Sequence, residues 1–351
     1  MAHQAWQTSI AATYRSRGEL GLVTSGKVPG YDELDEALKL KRAGELDKAV
    51  IALEGLLTRQ PSHALALAHL AEVQLRRGRR TEAAQCLDRA DAVAGTTGYT
   101  ARLRGDLHYK GERFAEAARC YQDADALGDR GTWSLVQLAR CRLRLRDIEG
   151  ARGAASKAVE RQPNDSGGWI VLGDIARRES RLADAEEMYS RAHEVAPHDD
   201  FAYARLVEAR VMALPPDARS REVEVLLKTT ARGNTQLQGV LARLRTGQGK
   251  LDQAAEVWAK TLTAKGDAYS RRMYAFSLLK AARTDEAAAL LAQCLADDPT
   301  NVIVFRNYVN LQHKREALAE LRRTLEELLP RAEARAGAFH GELRKLPLPD
   351  A

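Results

Sequence analysis

The sequence repeats itself at intervals of 34 residues. Blocks that begin at Gly30, Ala64, Gly98, Thr132 and Ser166 carry the same classes of residue in the same columns. A fixed internal period of this length indicates a repeat fold, in which similar supersecondary units stack on one another and bury a shared core. The chain is therefore expected to fold as a row of similar units.

Small residues recur where two helices would have to pack closely. Column twenty of the five blocks holds only alanine: Ala49, Ala83, Ala117, Ala151 and Ala185. Column twenty-seven is alanine in four of the five blocks, and column twenty-four between them carries a larger residue in most blocks. This pattern favours a helix whose small face presses against a neighbouring helix. A bulky substitution there would cost about 1–3 kcal/mol through overpacking.

Each block also predicts a second helix and the turns around it. The first half of the second block places Leu67, Leu70 and Leu75 at helical spacing. A glycine follows the first half as a turn signal in three blocks: Gly44, Gly78 and Gly111. A proline at column thirty-two ends the second half in three blocks: Pro61, Pro163 and Pro197. Each block is therefore expected to form two antiparallel helices, and the fold class is expected to be all-α.

The composition favours helices and a chain that does not span a membrane. Aromatic residues make up only 5% of the chain, which contains 10 prolines and 45% hydrophobic residues. Its apolar runs fall short of the roughly 18–20 residues that a bilayer requires, and the mean hydropathy is −0.41. No signal peptide follows Met1, and the four cysteines lack CxxC spacing. A cytoplasmic location without a disulfide framework is the expectation.

The fifth block carries the residues of a known repeat. They are, in order, Trp169, Leu172, Gly173, Ala185, Tyr189, Ala192 and Pro197. With these residues the chain resembles the tetratricopeptide repeat family, whose pattern runs W-x2-L-G-x2-Y and continues with alanine, an aromatic residue, alanine and proline. Ala176 stands where the family prefers tyrosine, and the other blocks match the pattern less closely.

Further copies extend the resemblance over residues 30–330, in about nine units. In the block from Asp200, the prolines Pro215 and Pro216 place the start of the second helix near Ala218. They also predict a lobe break near residues 214–218. Residues 1–29 are expected to form an N-terminal helix or arm and a linker, and residues 331–351 a helical tail. The resemblance implies an α-solenoid of helical hairpins wound into a right-handed superhelix.

The resemblance also implies a binding site along the first helices of the repeats. In tetratricopeptide arrays these helices line a concave groove, where ligands usually lie against columns two, five, nine, twelve and thirteen. Carried over to this chain, the partner-binding residues are Tyr99, Arg102, Lys110, Trp133, Arg140, Arg144, Arg178 and Phe201. Aromatic anchors beside a row of cations suit a peptide with acidic and apolar side chains.

Two of these columns also have a structural explanation. Column thirteen is basic in five successive blocks: Arg42, Arg76, Lys110, Arg144 and Arg178. The helix dipole favours a cation near a helix C-terminus in any case. An aromatic ring in column two would also pack against the second helix of the preceding repeat. Column nine is of mixed sign, with Arg140 among the acids Glu72, Asp106, Asp174 and Glu208. This argues against the clamp with which chaperone-binding members of the family hold a chain-terminal carboxylate.

Nothing in the sequence predicts catalysis, a cofactor or a metal site. No two of the histidines, which include His63, His69 and His108, share a helix face with a third ligand at metal spacing. Phosphate-binding and nucleophile motifs do not occur. The acidic pairs Asp199-Asp200 and Asp297-Asp298 are expected to cap helix starts. Cys86 and Cys120 share a column because the fold repeats, and a redox role is not favoured.

The sequence thus favours a non-enzymatic scaffold or adaptor that binds segments of partner proteins in the groove. One alternative is RNA binding by helical repeats, which the pI of about 9.1 supports and the acids of column nine oppose. A second alternative is self-assembly, in which the repeats of one copy hold the N-terminal arm of another. Nucleic acid is the less favoured partner, insertion into a membrane is not expected, and a homo-oligomer is an open alternative.

Overall fold

The described residues fold entirely into helices and their connections. The structure is a computed structural model that describes residues 31–229, 235–332 and 336–347. These residues contain nineteen α-helices, one short 3-10 helix and no β-strand. The all-α fold class is therefore confirmed. The arm and linker expected in residues 1–29 lie outside the described residues.

The helices follow one another in pairs. The first helices of the pairs are α1 (Tyr31–Ala43), α3 (Ala64–Arg76), α5 (Gly98–Lys110), α7 (Trp133–Arg144), α9 (Ser166–Arg178), α11 (Asp200–Met212), α13 (Thr235–Gly247), α15 (Ala268–Lys280) and α17 (Val302–Lys314). The second helices are α2 (Leu46–Arg59), α4 (Arg80–Ala94), α6 (Phe114–Ala126), α8 (Ile148–Arg161), α10 (Leu182–Val195), α12 (Pro216–Thr229), α14 (Leu251–Lys265), α16 (Thr284–Asp297) and α18 (Leu318–Leu328). A 3-10 turn (Leu329–Arg331) and α19 (Ala336–Leu343) follow. The described residues thus contain nine helical pairs, as the repeat predicts.

The described chain divides into two compact units, residues 31–103 and 104–347, and the division falls within α5. In the first unit, α2 packs against α1 and α3, and α3 packs against α4. In the second unit, each helix from α7 to α10 packs against the next, and α9 also contacts both α7 and α11. The first helices of consecutive repeats therefore lie side by side. The lobe break near residues 214–218 stays a prediction, as does the division into arm, array and tail.

The recurring small residues lie at the centres of the helix contacts. All five alanines of column twenty are 0% exposed. Glycine has the same role at column eight, since a Cβ atom added to Gly105 or Gly173 would lie 2.5 Å from Cε1 of Tyr121 or Tyr189, respectively. Both tyrosine rings are fully buried. Close packing between the two helices of a repeat therefore depends on these small residues, as the sequence indicated.

A left-handed residue ends the first helix of most pairs. It lies at column fifteen in eight repeats: Gly44, Gly78, Glu112, Arg146, Ser180, Gly249, Ala282 and Glu316. Gly111, which the sequence suggested as a turn signal, directly precedes the left-handed position, and Glu112 adopts it with φ of 59°. The exception is the turn after α11, where α12 begins at Pro216, two residues before the predicted start. Proline is well suited to the first position of a helix, because its missing N–H needs no partner there.

Side-chain caps start several of the helices. Asp199 Oδ1 accepts hydrogen bonds from the backbone N–H groups of Phe201 and Ala202, at 2.9 and 3.3 Å. The capping prediction for the first acidic pair is therefore confirmed. For the second pair it is wrong, since Asp297 is the last residue of α16 and Asn301 caps α17. The intervening residues, Pro299 and Thr300, form a turn that separates the pair from the next helix.

Candidate functional site

Five of the predicted binding residues line one groove in the second unit: Trp133, Arg140, Arg144, Arg178 and Phe201. The groove has a volume of about 700 Å³. It lies along the first helices α7, α9 and α11, which are side by side, and Tyr109 of α5 also lines it. The predicted residue Lys110 is not among its lining residues. Tyr99 and Arg102 belong to the first unit.

Apolar side chains form the floor and flanks of the groove. Val136 and Ile170 line it, although only 4% and 3% of these residues are exposed. Trp133, which α7 contributes, is 50% exposed, and Phe201 of α11 is half-buried. Large aromatic side chains that are held in place but still accessible are the residues on which protein interfaces most often depend. The groove therefore offers anchoring surface as well as charge.

Two acids of column nine accept hydrogen bonds from tyrosine and tryptophan side chains. Asp106 Oδ1 accepts hydrogen bonds from the Tyr121 hydroxyl at 2.7 Å and from Trp133 Nε1 at 3.1 Å. Asp174 Oδ1 accepts one from the Tyr189 hydroxyl at 2.7 Å. Burial, with the adjacent carboxylate, raises the pKa of both tyrosines above the usual range. These hydrogen bonds stabilise the repeats and leave the negative charge of each carboxylate in place.

Arginines surround the acid of column nine in the next repeat. Glu208 lies 3.1 Å from Arg205 Nη1 and 3.0 Å from Arg243 Nη2. Burial alone would raise the pKa of Glu208, but Arg243, Arg205 and Arg177 together lower it. The carboxylate is therefore paired within the protein.

The basic residues of column thirteen have more than one role. Arg178 Nη1 donates a hydrogen bond to the carbonyl of Leu143 at 3.0 Å. Arg76 donates one to the carbonyl of Lys41 at 2.9 Å in the same way. Both carbonyls lie in the last turn of the preceding first helix, where carbonyl groups lack an intrahelical partner. These two arginines therefore join successive repeats, which fits the structural explanation of the column.

Arg140 and Arg144 differ from these arginines. Arg140 occupies column nine, where the neighbouring repeats carry an acid, and it has no hydrogen bond or ion pair with any described residue. The guanidinium of Arg144 lies 5.8 Å from the centre of the Phe114 ring, and no described carboxylate pairs with it. Residues four apart on a helix lie on the same face. The α7 side of the groove thus presents two neighbouring cations without a carboxylate partner among the described residues.

The first unit places Tyr99 in a polar cluster. Its hydroxyl lies 2.5 Å from Glu72 Oε2 and 2.7 Å from His69 Nδ1, and Lys41 Nζ lies 2.6 Å from the same carboxylate oxygen. The guanidinium of Arg102 lies 5.0 Å from the centre of the Tyr99 ring. The ring therefore contacts the first helix of the preceding repeat, whereas packing against the second helix was the alternative expectation. Tyr269 follows that alternative, since its ring lies edge-on to Trp258 of α14 at 5.8 Å.

Burial shapes the protonation of this cluster. Burial lowers the pKa of His69. It would raise the pKa of Glu72, but hydrogen bonds from His69, Lys41 and Tyr99 overcome this effect and lower that pKa far below its usual range. The carboxylate of Glu72 is thus charged at neutral pH and already bonded to Lys41 and Tyr99, which indicates a structural role in the first unit.

Among the lining residues that the sequence did not identify are Val136, Gly167 and Arg205. Gly167 occupies column two of α9, where the neighbouring first helices carry Trp133 and Phe201. This glycine between two aromatic residues of the column was a usable signal. Arg205 was missed because it lies outside the columns that the family resemblance names. Its guanidinium lies 4.9 Å from the centre of the Phe201 ring.

The metal-ligating side chains of the described chain do not gather into a metal site, and its thiols are not joined in disulfides. In residues 31–229, 235–332 and 336–347 no three histidine, cysteine, aspartate or glutamate side chains are grouped as a metal ion requires. Cys86, Cys120, Cys141 and Cys294 are free thiols. Burial raises the pKa of Cys141 to about 12 and that of Cys294 to about 11. Both thiols are therefore protonated, and unreactive as nucleophiles, at neutral pH.

Comparison with protein families decides the identity of the repeats. Residues 34–95 and 136–200 match the sequence model of the tetratricopeptide repeat family. The chain contains tetratricopeptide repeats. Tetratricopeptide repeats generally mediate contacts between proteins. Of the helices that the structure describes, none has the length and apolar character to cross a membrane. A search of the curated proteins finds no match to this sequence.

Solved structures share the fold of this chain. A tetratricopeptide repeat protein from Parabacteroides merdae aligns with 72% of this chain and 100% of its own, with a TM-score of 0.56 and 14% identity. Pseudomonas aeruginosa pilF aligns with 60% of this chain and 96% of its own, with a TM-score of 0.51 and 18% identity. PilW, a widely conserved type IV pilus biogenesis factor, aligns with 61% of this chain and 99% of its own, with a TM-score of 0.52 and 15% identity. At these identities the likeness shows the fold alone.

Proposed function

We propose that this chain is a non-enzymatic adaptor that binds a segment of a partner protein along α7, α9 and α11. The proposal rests chiefly on Arg140, a cation without a described partner, in a groove of about 700 Å³ beside a half-exposed tryptophan. A monomer gains no stability from such an arrangement, since the cation is unpaired and the ring is partly in water. A partner that covers the ring and pairs with the cation would gain from both.

The groove also suits binding better than catalysis. Its acids are already engaged, since Asp174 accepts a hydrogen bond from Tyr189, and Asp165 and Asp199 cap α9 and α11. The thiol of Cys141 on α7 is buried. The groove therefore lacks a free acid–base pair or an activated nucleophile. The three helices that line the groove hold its side chains in place, which limits the entropy lost on binding a segment of another protein.

A pair of double variants tests the proposal. Trp133→Ala with Arg140→Glu removes the anchor and reverses the unpaired charge. Leu127→Ala with Arg119→Glu is the matched control, since Leu127 is also 50% exposed and Arg119 lies exposed on α6. Proteins captured from a lysate by the natural chain and by the control, but not by the groove variant, are the expected result. Equal capture by both variants would place the binding surface elsewhere. Circular dichroism verifies that both keep their helical content.

A cytoplasmic location is part of the proposal. Four free thiols, three of them buried, are typical of a protein that folds in a reducing compartment. Cell fractionation tests this directly, and recovery of the chain from an oxidising compartment would contradict it.

A further inference from the structure

A missing side chain gives the groove a hollow. Column two carries Trp133 on α7 and Phe201 on α11, but Gly167 on α9 between them. A Cβ atom added to Gly167 would meet Val136 Cγ2 at 3.1 Å. Asp165 Oδ1 would lie 3.3 Å from the same Cβ. Val136, Ile170 and Phe201 line the groove around the glycine, whereas Trp133 donates its Nε1 hydrogen bond to Asp106 of α5. The hollow at Gly167 is therefore bordered by the apolar side chains of Val136 and Ile170 and by the Asp165 carboxylate.

The charged groups around the hollow are unbalanced. Five arginines and three aspartates line the groove, which leaves two positive charges in excess. The aspartates are already engaged: Asp165 and Asp199 cap α9 and α11, and Asp174 accepts the Tyr189 hydroxyl. The excess lies on α7, where Arg140 and Arg144 have no described carboxylate partner.

We propose that the groove binds an acidic segment of a partner protein, with one large apolar side chain in the hollow above Gly167. An aspartate or glutamate side chain next to that residue pairs with Arg140 and Arg144. This inference rests on the proposed function and specifies the ligand. Two arginine guanidinium groups can each offer paired N–H donors to a carboxylate, which is the strongest ion-pair geometry that side chains form.

The dimensions of the groove favour a carboxylate within the segment over one at the end of a chain. Neighbouring packed helices lie about 8–10 Å apart, so the distance from α7 across α9 to α11 is roughly 16–20 Å. An extended chain covers about 3.3 Å per residue, so about five or six residues fit across the three helices. Arg140 and Arg144 lie on α7, and the hollow lies on α9, so the bound chain continues past the hollow towards Phe201.

Selection from random peptides tests the inference on the full-length chain. Octapeptides displayed with flanking sequence on both sides carry no free terminus, and the selected sequences are then made as acetylated, amidated peptides. We expect the bound sequences to contain aspartate or glutamate within two positions of leucine, isoleucine, phenylalanine or tryptophan. Because a hydrogen bond to a charged group contributes about 1.5–3 kcal/mol, Arg140→Gln should weaken the binding of a selected peptide about tenfold or more.

The hollow has its own matched pair of variants. Gly167→Leu should fill it and abolish the preference for a large apolar side chain, while an acidic peptide without that side chain still binds. Gly153→Leu is the control, because Gly153 lies on an exposed part of α8 with no atom within 4 Å of an added Cβ. If Gly167→Leu does not fold, as judged by circular dichroism, Gly167→Ala replaces it with a smaller effect in the same direction.

Different outcomes overturn the inference and the proposed function. Selection of uncharged or basic peptides whose binding still requires Trp133 would overturn the inference and leave the adaptor function intact. The inference would also be overturned if selected acidic peptides bound to Gly167→Leu, to Gly167→Ala or to Arg140→Gln as tightly as to the natural chain. A requirement for a free C-terminal carboxylate, or displacement of the peptides by oligouridine at low salt, would overturn it too. Failure to select any peptide would overturn both.

Discussion

The replacement of Gly173 by alanine tests the packing on which the whole repeat depends. Gly173 lies in α9, facing the ring of Tyr189 in α10, and an added Cβ would lie 2.5 Å from Cε1 and 2.7 Å from Cδ1 of that ring. Non-bonded carbon atoms are most stable at about 3.5–4.0 Å. The ring cannot easily retreat, since it is 0% exposed and its hydroxyl is bound to Asp174 at 2.7 Å.

The expected loss of stability follows from two opposing effects. Overpacking by one methyl group in a closely packed site costs about 1–3 kcal/mol. Alanine also favours the helix over glycine by about 0.5–1 kcal/mol. Gly173→Ala should therefore destabilise the second unit by about 1–2 kcal/mol. The same substitution at the exposed Gly153, where nothing lies within 4 Å of an added Cβ, should stabilise it by about 0.5–1 kcal/mol.

Hydrogen exchange is the suitable assay, because repeat proteins need not unfold in a single step. Amides of α9 and α10 should exchange faster in Gly173→Ala than in the natural chain, and a second measurement in a Tyr189→Leu background isolates the clash. In that background the alanine no longer meets a ring, so the added cost of Gly173→Ala should disappear. If Gly173→Ala proves as stable as Gly153→Ala, or if its cost persists without the ring, the packing argument is refuted.

Three further predictions concern turns, caps and pH. Arg146→Gly should raise the free energy of unfolding by up to about 1.6 kcal/mol, because the left-handed φ of 63° costs a non-glycine residue about 1–2 kcal/mol and the freer unfolded chain offsets about 0.4–1 kcal/mol of this. A lower urea midpoint than that of the natural chain would contradict the left-handed turn. Asp199→Ala should lose about 0.5–2 kcal/mol at the start of α11, and Asp199→Asn much less, as measured by local hydrogen exchange; equal losses would exclude the cap. Because the pKa values of His69 and Glu72 are lower in the folded than in the unfolded chain, the unfolded chain binds more protons as the pH falls. Stability should therefore decline below about pH 6.5 and further below about 4.5, and the double variant His69→Gln with Glu72→Gln should show a weaker decline in urea titrations.

The sequence predicted helix starts closely because the same signal recurs in every repeat. The blocks were set at Ala64, Gly98 and Ser166, and α3, α5 and α9 begin at these residues. It predicted turns less well where a repeat lacks the usual residue. Glu112 and Arg146 adopt left-handed conformations that glycine or asparagine would normally signal. Packing of the paired helices imposes the turn there, so the turn residue alone carries no signal.

The site was only partly predictable for a different reason. The family columns identified Trp133, Arg140 and Phe201 as candidates, and they do line one groove. Counting charges along the columns did not reveal which charges were already paired, since pairing depends on contacts between helices. Glu208, for example, is paired with Arg243 of the next repeat, and no spacing within either helix indicates it. The proposed ligand keeps the acidic and apolar character that the columns suggest, and the unpaired arginines Arg140 and Arg144 supply the position of its carboxylate.

The two kinds of arginine in the groove show why unpaired side chains, more than charge, point to recognition. Arg178 and Arg140 line the same groove and carry the same charge. Arg178 already donates to the carbonyl of Leu143, so its replacement would loosen the contact between α7 and α9 as well as any contact with a ligand. Arg140 has no such bond to a described residue, and its loss leaves no buried carbonyl without a donor. A loss of binding in Arg140→Glu with unchanged hydrogen exchange therefore reports on recognition alone, whereas the same loss in Arg178→Glu would combine recognition with the stacking of repeats.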